Sequence, residues 1–574
     1  MPRSNDEVAH AFEEFADLLA ILSGDPYKPR AYEKAARSIG GYADELRGLD
    51  DAGILAIPNV GRSIAEKVHA ILETGTFPEL EELRAQVPPG VREMTAIPGF
   101  GPKKAIVVYR ELGIEDLDGL VAAATDERLR GLKGFSAKTE ESVLQAVERA
   151  SRDTGRVHID VALDVAETFL GRLREIRGVR RAEFAGSLRR MAETIGDVDL
   201  LVASDDPTPV MDAFVGDADV ARVLAHGDAK SSVITRSGLQ VDLRVVPLGA
   251  WGAAMIYFTG SKAHNVRIRE MAVRTGLKLN EYGLFRVEGE DLIVADTEEA
   301  VYERLGLPYI EPTLREDTGE IEAALAGELP SVLTLRQIRG DLHTHTDLTD
   351  GVASLEQMLE AAAAKGYAYY AVTDHAPNLF MQRMTDDKML AQRERLAALQ
   401  PRFPKMTLLH GTELNIDPAG EVDWPAAFLD RFDVTVASVH SHFNQSRDEM
   451  TRRLIRAMEN PNVNVIGHPT TRKIGSRDPV DLDLEAVFEA AARTGTALEI
   501  DAYPDRLDLR DEHVRWARRH AIRFAVDTDS HAVGHLDAMR YGVGVAQRGW
   551  LTKEDVINAW PLSKLRRFLK KRGR

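Results

Sequence analysis

Apolar positions along the chain follow three patterns, and each pattern predicts a different kind of region. Residues 5–49 place Ala and Leu at the spacing of amphipathic helices, around a polar loop at SGDPYKP. The stretch from Ile195 to Val202 alternates apolar with acidic residues and then becomes fully apolar, and the stretch from Leu239 to Val245 alternates apolar with polar residues. Both patterns are typical of strands. After Arg339, short apolar runs alternate with helical segments, which indicates parallel strands joined by crossover helices. The sequence therefore predicts a multidomain α and α/β protein.

A repeated unit in the N-terminal region predicts contacts to a nucleic-acid backbone. Ile57–Ala65 (IPNVGRSIA) and Ile97–Ala105 (IPGFGPKKA) share one form, and Leu132–Leu144 is a weaker third copy. Each copy puts a glycine-bounded hairpin before a helix, where backbone amides can approach a phosphate. One copy would more often be a plain turn, whereas the repetition predicts helix-hairpin-helix motifs that bind DNA without reading its sequence. The candidate DNA-binding residues are Gly61, Gly99, Gly101 and Lys103.

The two predicted strands with charged positions carry carboxylates suited to divalent metal ions. Asp197 and Asp199 lie two residues apart, so their side chains project from the same face of one strand. Paired carboxylates repel each other unless a cation lies between them, and oxygen ligands favour Mg²⁺ or Mn²⁺. Asp242 in LQVDLRVV would complete a cluster for phosphoryl transfer by two metals. A lone Asp-x-Asp pair is as often an exposed strand edge, but the third aspartate and the upstream GSLRR motif favour a metal site.

Metal-type ligands also stand at the ends of successive predicted strands in the C-terminal region. An isolated histidine at such a place is usually an ordinary polar residue, but here almost every apolar run ends in a histidine or a carboxylate. The carboxyl ends of barrel strands lie at one rim, so these side chains should converge. Imidazoles with bridging carboxylates suit Zn²⁺, Mn²⁺ or Fe²⁺, and so many ligands imply two or three ions. The candidates are His343, His345, Asp350, His375, Glu413, His440, His468, Asp529 and His531.

Composition narrows the possible functions. A chain of 574 residues is too long for one core, and the absence of cysteine excludes disulfides and thiolate metal sites. The formal charge of −18 is unfavourable for a general nucleic-acid binder, so DNA contacts must be local. The basic run from Lys564 to Arg574 is either a solvated helix end or a phosphate contact. With no long apolar segment and no signal-like N-terminus, we expect a cytoplasmic protein without membrane contact.

The central motifs GSLRR, GDVDLL, VDLR, YFTGS and NEYGLF resemble those of the family X DNA polymerases, the group of DNA polymerase beta. The resemblance implies that Asp197 and Asp199 hold both metals, and that Asp242 binds the catalytic metal near the primer 3′-hydroxyl. It also implies nucleotide contacts by Gly186, Ser187, Arg190, Tyr257, Phe258, Gly260, Asn265 and Arg269. The family often has an arginine two residues before the third aspartate, whereas this chain has Gln240. This departure concerns the positioning of the primer end and not the metal site.

The C-terminal runs resemble the polymerase and histidinol phosphatase (PHP) domain, a distorted barrel of about seven strands. All nine candidate ligands match its motifs, while His442 either contacts substrate or is structural. The resemblance implies a Mn²⁺-dependent 3′→5′ exonuclease, with 3′-phosphatase or abasic endonuclease action as further possibilities. Helix-hairpin-helix motifs, an X-type nucleotidyltransferase palm with a mixed or antiparallel sheet, and a PHP domain follow in the order found in bacterial and archaeal family X polymerases.

These resemblances predict six segments with separate roles. They are a lyase-like helical domain (1–85), a DNA-binding helical subdomain (86–156), the palm (157–250), a nucleotide-binding subdomain (251–316), a linker that keeps two catalytic bodies apart (317–337) and the PHP phosphoesterase domain (338–574).

The expected function is short-gap filling in base excision repair, with trimming of 3′ ends in the PHP domain. The expected partners are dNTP and gapped or nicked DNA with a 5′-phosphate, bound by a monomer. The alternatives are a DNA-end scaffold with a weak polymerase, and a barrel that acts on a small phosphate monoester. In beta-type relatives a lysine at the place of Lys67 forms a Schiff base with the abasic sugar; the other interpretation is a solvated helix lysine.

Overall fold

A helical region, a mixed five-stranded sheet and a seven-stranded parallel barrel follow one another along the chain. The computed structural model describes residues 5–22, 27–40, 42, 46–95, 97, 100–137, 139–141, 143–144, 155–288, 291–379 and 384–570. The predicted fold class is confirmed.

The N-terminal helices surround one cluster of buried apolar side chains that includes Phe12, Phe15, Phe77 and Phe100. The helices are Asn5–Leu22, Tyr27–Gly40, Asp51–Leu55, Arg62–Thr74, Pro78–Arg84, Pro89–Met94, Pro102–Leu112 and Leu117–Thr125. One detail of the prediction is wrong, because the second helix begins at Tyr27, inside the predicted loop SGDPYKP. Proline is compatible with the first turn of a helix, so Pro29 does not delay its start.

The palm is built on a sheet with the strand order β2-β4-β7-β6-β5. β4 and β7 run parallel, and the other neighbours in this sheet are antiparallel. The strands are β1 (Val157–His158), β2 (Val179–Phe184), β3 (Thr194–Ile195), β4 (Asp197–Ser204), β5 (Val220–His226), β6 (Lys230–Thr235) and β7 (Gln240–Val246). The helices are Ile159–Arg174, Gly186–Arg189 and Thr208–Val215.

A smaller subdomain follows the palm. It contains the strands β8 (Leu277–Asn280), β9 (Gly283–Arg286) and β10 (Leu292–Val294) and the helices Trp251–Thr259, Lys262–Arg274, Glu298–Arg304 and Glu320–Ala326. The last helix lies in the predicted linker, and its Ile321 is buried in the core of this subdomain. Glu320 is also buried and lies 2.7 Å from His264 Nδ1. This part of the segment is therefore packed structure.

The C-terminal strands pair in sequential order from β11 to β17, all parallel. They are β11 (Gly340–Asp341), β12 (Tyr369–Val372), β13 (Thr407–Asn415), β14 (Val434–Ser438), β15 (Val465–Ile466), β16 (Ala497–Asp501) and β17 (Phe524–Asp527). A parallel bridge between Thr344 and Ser530 connects the first and last strands beyond their ends, so the barrel is nearly closed. The helices are Leu355–Ala364, Asp386–Leu399, Ala426–Leu429, Arg447–Glu459, Leu484–Thr494, Asp511–Ala517, Met539–Arg548 and Leu562–Leu569.

Palm and barrel touch directly, so the expectation that a linker keeps them apart is wrong. One cluster of buried apolar side chains includes residues of both, such as Val198 of the palm and Val526 of the barrel. Polar contacts cross the same boundary, including Arg472 Nη2 to Glu193 Oε2 at 2.8 Å. None of the helices in the described ranges combines the length and apolar character that a membrane span requires.

Candidate active sites

The palm brings its three aspartates together at one place in the sheet. In the parallel pair of β4 and β7, Asp199 lies directly opposite Asp242, and Asp197 lies opposite Gln240. Since side chains two residues apart share a face, all three carboxylates project from the same side of the sheet. Asp197 is exposed at the start of its strand, whereas Asp242 is buried. The cluster is therefore open to solvent at one end.

The charges in and around this cluster shift the pKa values of two of its carboxylates. Burial and the carboxylates of Asp197 and Asp242 raise the pKa of Asp199 to about 7. Burial acts in the same direction on Asp242, but hydrogen bonds outweigh it and lower its pKa. Lys230 Nζ lies 2.5 Å from Asp242 Oδ2, and Gln240 Nε2 donates to Asp242 Oδ1 at 2.9 Å. Hard oxygen donors that repel each other fit a divalent cation.

The motif GSLRR forms a one-turn helix, Gly186–Arg189, next to this cluster. Gly186 has φ +61°, and a Cβ there would collide with Asp199 Oδ2, so the motif needs glycine at this point. Ser187 is half-buried in the same turn. Arg190 Nε donates to Glu316 Oε1 at 2.9 Å, and its Nη1 donates to the carbonyl of Thr259 at 2.6 Å. The turn is thus tied to the following subdomain.

The remaining predicted nucleotide contacts lie around the turn between two helices of that subdomain. Tyr257 and Phe258 lie in the last turn of the helix Trp251–Thr259, with their ring centroids 5.0 Å apart. Gly260 has φ +72°, and a Cβ there would lie 3.2 Å from Arg190 Nη1. Asn265 Nδ2 donates to the carbonyl of Tyr257 at 2.7 Å, while Arg269 is exposed on the helix Lys262–Arg274. The predicted pocket residues therefore lie on neighbouring elements.

The predicted DNA-binding glycines of the N-terminal region occupy equivalent places. Gly61 is the N-cap of Arg62–Thr74, and Gly101 is the N-cap of Pro102–Leu112. Lys103 is exposed in the first turn of the second of these helices. Gly99 lies outside the described residues. Each of the two helices thus begins at a glycine N-cap, and the N-terminus of a helix can accommodate phosphate.

Lys67 does not lie free on its helix. Only 9% of the residue is exposed, and Nζ lies 2.6 Å from Glu79 Oε1. The same Nζ lies 5.5 Å from the centre of the Phe77 ring. The alternative of a solvated helix lysine is therefore wrong, because the side chain is largely buried and its amine contacts a carboxylate.

All nine predicted ligands of the barrel meet at the carboxyl ends of its strands, and Glu413 is at their centre. Glu413 Oε1 lies 3.0 Å from His440 Nε2, 3.1 Å from His468 Nε2 and 3.5 Å from His343 Nε2. Its Oε2 lies 2.8 Å from His375 Nδ1 and 3.6 Å from His345 Nε2.

Two further carboxylates complete this cluster. Asp529 Oδ1 lies 3.1 Å from His345 Nε2 and 3.5 Å from His343 Nε2. Asp350 lies 3.3 Å from His531 Nε2 and 3.4 Å from His375 Nε2. The potential metal groups overlap in His345 and His375: His345, Asp350, His375 and His531; His343, His345 and Asp529; and His375, Glu413 and His440.

The donor atoms of the barrel cluster fit metal ions. Several buried atoms that face one another make no hydrogen bond to any described residue, among them His343 Nε2, His345 Nε2 and Asp350 Oδ1. A metal would satisfy such atoms, which are otherwise costly to bury. Burial alone would raise the pKa of Glu413, but the imidazoles of His440 and His375 hold it well below its usual range. Carboxylates kept ionised among imidazoles are ready ligands.

Sequence reasoning missed the residues that orient these imidazoles. Glu499 Oε1 lies 2.7 Å from His343 Nδ1, and its Oε2 accepts from the backbone N–H of His468 at 2.6 Å. Asn415 Oδ1 lies 2.7 Å from His440 Nδ1. Such partners fix the tautomer and direction of a metal-binding histidine. A fully buried glutamate within the apolar strand ALEID was the signal that could have found Glu499. His442 is exposed two residues after His440, and its Nδ1 lies 3.0 Å from Ser441 Oγ.

The fold and these two sites define a class of protein: a metal-dependent nucleotidyltransferase joined to a metal-dependent phosphoesterase. Family comparisons agree with this division. Residues 3–77 match a helix-hairpin-helix domain, 91–149 a SAM-like helix-hairpin-helix tandem, 254–316 the DNA polymerase beta thumb and 341–502 the PHP domain.

Full-length similarity gives the family itself. The chain is 34% identical to the DNA polymerase/3′-5′ exonuclease PolX of Bacillus subtilis (strain 168), over 98% of this chain and 99% of that protein. It is 28% identical to DNA polymerase lambda of Rattus norvegicus over 51% of this chain and 53% of that protein. It is 27% identical to a probable phosphatase of Thermoanaerobacter sp. (strain X514), over 41% of this chain and 95% of that protein. The chain belongs to the family X DNA polymerases that carry a C-terminal PHP domain.

Proposed function

We propose that this protein extends the primer 3′ end in short DNA gaps and removes 3′ nucleotides at a separate site in its barrel. The observation that carries the proposal is the coexistence of two intact ligand sets in one chain. Three carboxylates lie on adjacent strands of the palm, and nine ligands lie at the rim of the barrel. The full-length similarity to a DNA polymerase/3′-5′ exonuclease supports both activities.

In the palm, we assign metal binding to Asp197, Asp199 and Asp242, with Asp242 nearest the primer hydroxyl. Ser187 and Arg190 hold the triphosphate of the incoming dNTP, and Gly186 leaves room for the carboxylate of Asp199. Tyr257, Phe258 and Gly260 shape the sugar pocket, while Asn265 and Arg269 face the minor groove of the nascent pair. The cluster leaves coordination positions for phosphate oxygens, which suits Mg²⁺ or Mn²⁺.

In the barrel, the nine ligands hold two or three ions of Mn²⁺, Zn²⁺ or Fe²⁺. Bound divalent ions, here as in the palm, lower the pKa of a coordinated oxygen nucleophile and neutralise charge on the phosphate. The protein's own contribution is to keep the imidazoles oriented, through Glu499 and Asn415. The helix-hairpin-helix units supply backbone contacts to gapped or nicked DNA through Gly61, Gly99, Gly101 and Lys103. We propose a monomer that acts in base excision repair.

One product ladder tests both halves of this proposal. Labelled gapped duplex is incubated with and without dNTP, with wild type, with Asp242→Ala and with the double variant His343→Ala/His345→Ala. We expect Asp242→Ala to lose extension and keep degradation, and the histidine variant to show the reverse. Absence of extension by wild type with either Mg²⁺ or Mn²⁺ would reject the polymerase in favour of a DNA-end scaffold with a nuclease.

A phosphomonoesterase activity of the barrel is a second candidate. The observation that favours it is the similarity of this region to a probable phosphatase that is covered over 95% of its length. A primer ending in a 3′-phosphate tests it: release of inorganic phosphate that disappears in His343→Ala/His345→Ala supports it. A blocked end that stays intact with wild type would reject it.

We also propose Lys67 as the amine of a 5′-deoxyribose phosphate lyase. The amine of this buried lysine lies 5.5 Å from the centre of the Phe77 ring and 2.6 Å from Glu79 Oε1, within a helix of the first helix-hairpin-helix unit. Borohydride trapping on a 5′-incised abasic duplex, with Lys67→Ala as control, tests the assignment. An adduct that persists in the variant would contradict it.

A further inference from the structure

The turn that carries Arg190 rests on a helix of the barrel. Arg548, the last residue of Met539–Arg548, donates from Nη1 to the carbonyl of Arg190 at 2.9 Å and to Glu316 Oε1 at 2.7 Å. The same oxygen of Glu316 accepts from Arg190 Nε at 2.9 Å. Asp511 Oδ2 accepts from Arg548 Nε at 2.7 Å, so the guanidinium of Arg548 is also held from the barrel side. One carboxylate oxygen therefore connects an arginine of the palm to an arginine of the barrel.

A second contact lies one helical turn earlier on the same helix. A Cβ at Gly544 would lie 2.7 Å from Met191 Cε and 2.9 Å from Met191 Cβ, so only glycine leaves space for this side chain. Met191 has φ +56°, a backbone conformation that is unfavourable for a residue with a side chain. Gly544 and Arg548 are four residues apart and share one helix face. That face holds both residues that follow GSLR in the turn.

We propose that Gly544 and Arg548 are positioning residues of the polymerase site, which would make the PHP domain a structural part of that site. The inference rests on the proposed triphosphate contact of Arg190. With Nε and Nη1 held by Glu316 and Thr259, the plane of the Arg190 guanidinium is set before nucleotide arrives. Preorganised groups lose less conformational freedom on binding, so loosening this turn should weaken nucleotide affinity.

The test measures dNTP binding without chemistry. A gapped duplex with a dideoxy-terminated primer and 2-aminopurine in the template reports the affinity of the correct dNTP. We expect Arg548→Ala to weaken it about tenfold and Arg548→Lys to recover part of the loss, because lysine keeps the charge but not the planar fork. In extension assays KM for dNTP should rise more than kcat falls. Exonuclease activity within about twofold of wild type would show that the barrel is folded.

Arg540→Ala is the matched control. Arg540 lies on the same helix, and its Nη1 lies 3.5 Å from Glu167 of the palm, away from the Arg190 turn. It should leave dNTP affinity unchanged. If Arg190→Ala weakens dNTP binding and Arg548→Ala does not, the positioning role is overturned. If Arg190→Ala itself has no effect, the proposed triphosphate contact fails, which is a separate outcome.

An independent observation concerns the opposite end of the barrel. Two neighbouring cavities of about 310 and 380 Å³ share Ala521 and Arg523. Arg523 and Thr496 come just before β17 and β16, so the cavities lie at the end opposite to the metal ligands. We call their cationic lining the basic face; it comprises Arg515, Arg518, Arg519, Arg523, Lys564 and Arg567.

The charge of the basic face is only partly compensated. Lys564 lies 3.1 Å from Glu554, and Arg523 lies 3.9 Å from Asp555. Over the described ranges, Arg518, Arg519 and Arg567 form no ion pair with a carboxylate. Arg515 lies in the last turn of the helix Asp511–Ala517, and Arg518 and Arg519 lie in the 3-10 turn that follows it. Like charges this close in the chain repel each other. A chain with a net charge of −18 therefore gathers unpaired cations here.

We infer that the basic face binds the sugar–phosphate backbone of DNA outside both catalytic sites. A bound polyanion would reduce the repulsion between these guanidinium groups, and the protein belongs to a family that acts on DNA. The alternative partner of the same charge is an acidic protein surface.

The salt dependence of DNA affinity distinguishes a DNA backbone from an acidic protein as the partner of the basic face. Duplex DNA binding is measured between 50 and 200 mM NaCl for wild type and for the triple variant Arg518→Ala/Arg519→Ala/Arg567→Ala. If each arginine neutralises one phosphate, the slope of log Kd against log salt concentration should fall by up to about 3. The charge-matched control is Arg393→Ala/Arg395→Ala/Arg402→Ala, in and just after the helix Asp386–Leu399 and outside the lining of both cavities, which should keep the wild-type slope. An unchanged slope in the first variant would reject DNA and favour an acidic protein.

Discussion

The palm and the barrel both place metal ligands at strand ends, but they differ in how many of a metal's coordination positions the protein itself fills. The palm offers three carboxylates, one of them exposed, and a lysine already contacts Asp242. The barrel offers nine ligands, and His343, His345 and Glu413 are almost completely buried. The palm site should therefore depend on its substrate to complete the coordination, whereas the barrel site should hold its ions alone.

Removing the central barrel carboxylate should have the largest effect. Glu413→Gln withdraws the charge that five imidazoles share, so we expect exonuclease activity to fall by on the order of 10³-fold or more. Primer extension should be unaffected in the same preparation. Glu421→Gln, an exposed acid outside the cluster, is the control. Equal losses of both activities would show that the two sites are not separate.

Glu499→Gln should cause a smaller loss. The amide of glutamine keeps the shape of Glu499 but removes its charge next to His343 Nδ1. Loss of a group that hydrogen-bonds a metal-binding histidine typically lowers metal affinity or activity by roughly 10–100-fold. We expect weaker Mn²⁺ binding by isothermal titration calorimetry and slower 3′ degradation that excess Mn²⁺ restores. A loss that no Mn²⁺ concentration reverses would indicate misfolding of the barrel.

The two sites should also differ in the pH range over which metal affinity changes. In the palm, metal must displace the proton of Asp199, whose pKa is about 7, so affinity should fall about tenfold per pH unit below pH 7 and level off above it. In the barrel, burial lowers the pKa values of His343 and His375, but neighbouring carboxylates outweigh it and raise them well above the ordinary value. A raised pKa keeps the proton bound to higher pH, so barrel affinity should still increase above pH 7.

Calorimetric titrations of Mn²⁺ at several pH values separate these profiles. His343→Ala/His345→Ala isolates the palm, and Asp197→Ala/Asp242→Ala isolates the barrel. Identical profiles for the two variants would contradict the contrast drawn between the sites.

Metal alone should stabilise the two sites unequally, and this is the smallest effect expected. With no DNA present, Mn²⁺ at about 100 times its Kd should add roughly 2.7 kcal/mol to the free energy of unfolding of a barrel that binds one ion, and more for each further ion. The palm variant Asp197→Ala/Asp242→Ala should show the same increase in Tm, and the barrel variant should show little. If a large Mn²⁺-induced increase in Tm were lost in Asp197→Ala/Asp242→Ala, the palm and not the barrel would be the site that binds metal without substrate.

Most of both ligand sets could be predicted from the sequence, because strand periodicity fixes which side chains share a face. Asp197 and Asp199 are two residues apart, and the nine barrel ligands follow apolar runs. To bring Asp242 beside Asp199, the prediction needed only one further assumption, that β4 and β7 are neighbours in the sheet.

Contacts between distant elements could not be predicted in this way. Glu499 is 156 residues from His343, and Arg548 is 358 residues from Arg190. Nothing in the local pattern of either segment specifies its partner. The same limit explains the error about the linker, where the burial of Ile321 and Glu320 depends on a core formed by residues far away in the chain.

The continuous apolar cluster of palm and barrel has a practical consequence for anyone who wishes to study one half alone. A gene truncated at the domain boundary would uncover on each fragment apolar side chains that the intact protein hides. Such fragments should be prone to aggregate, so point variants, and not excised pieces, are the sound way to dissect this enzyme.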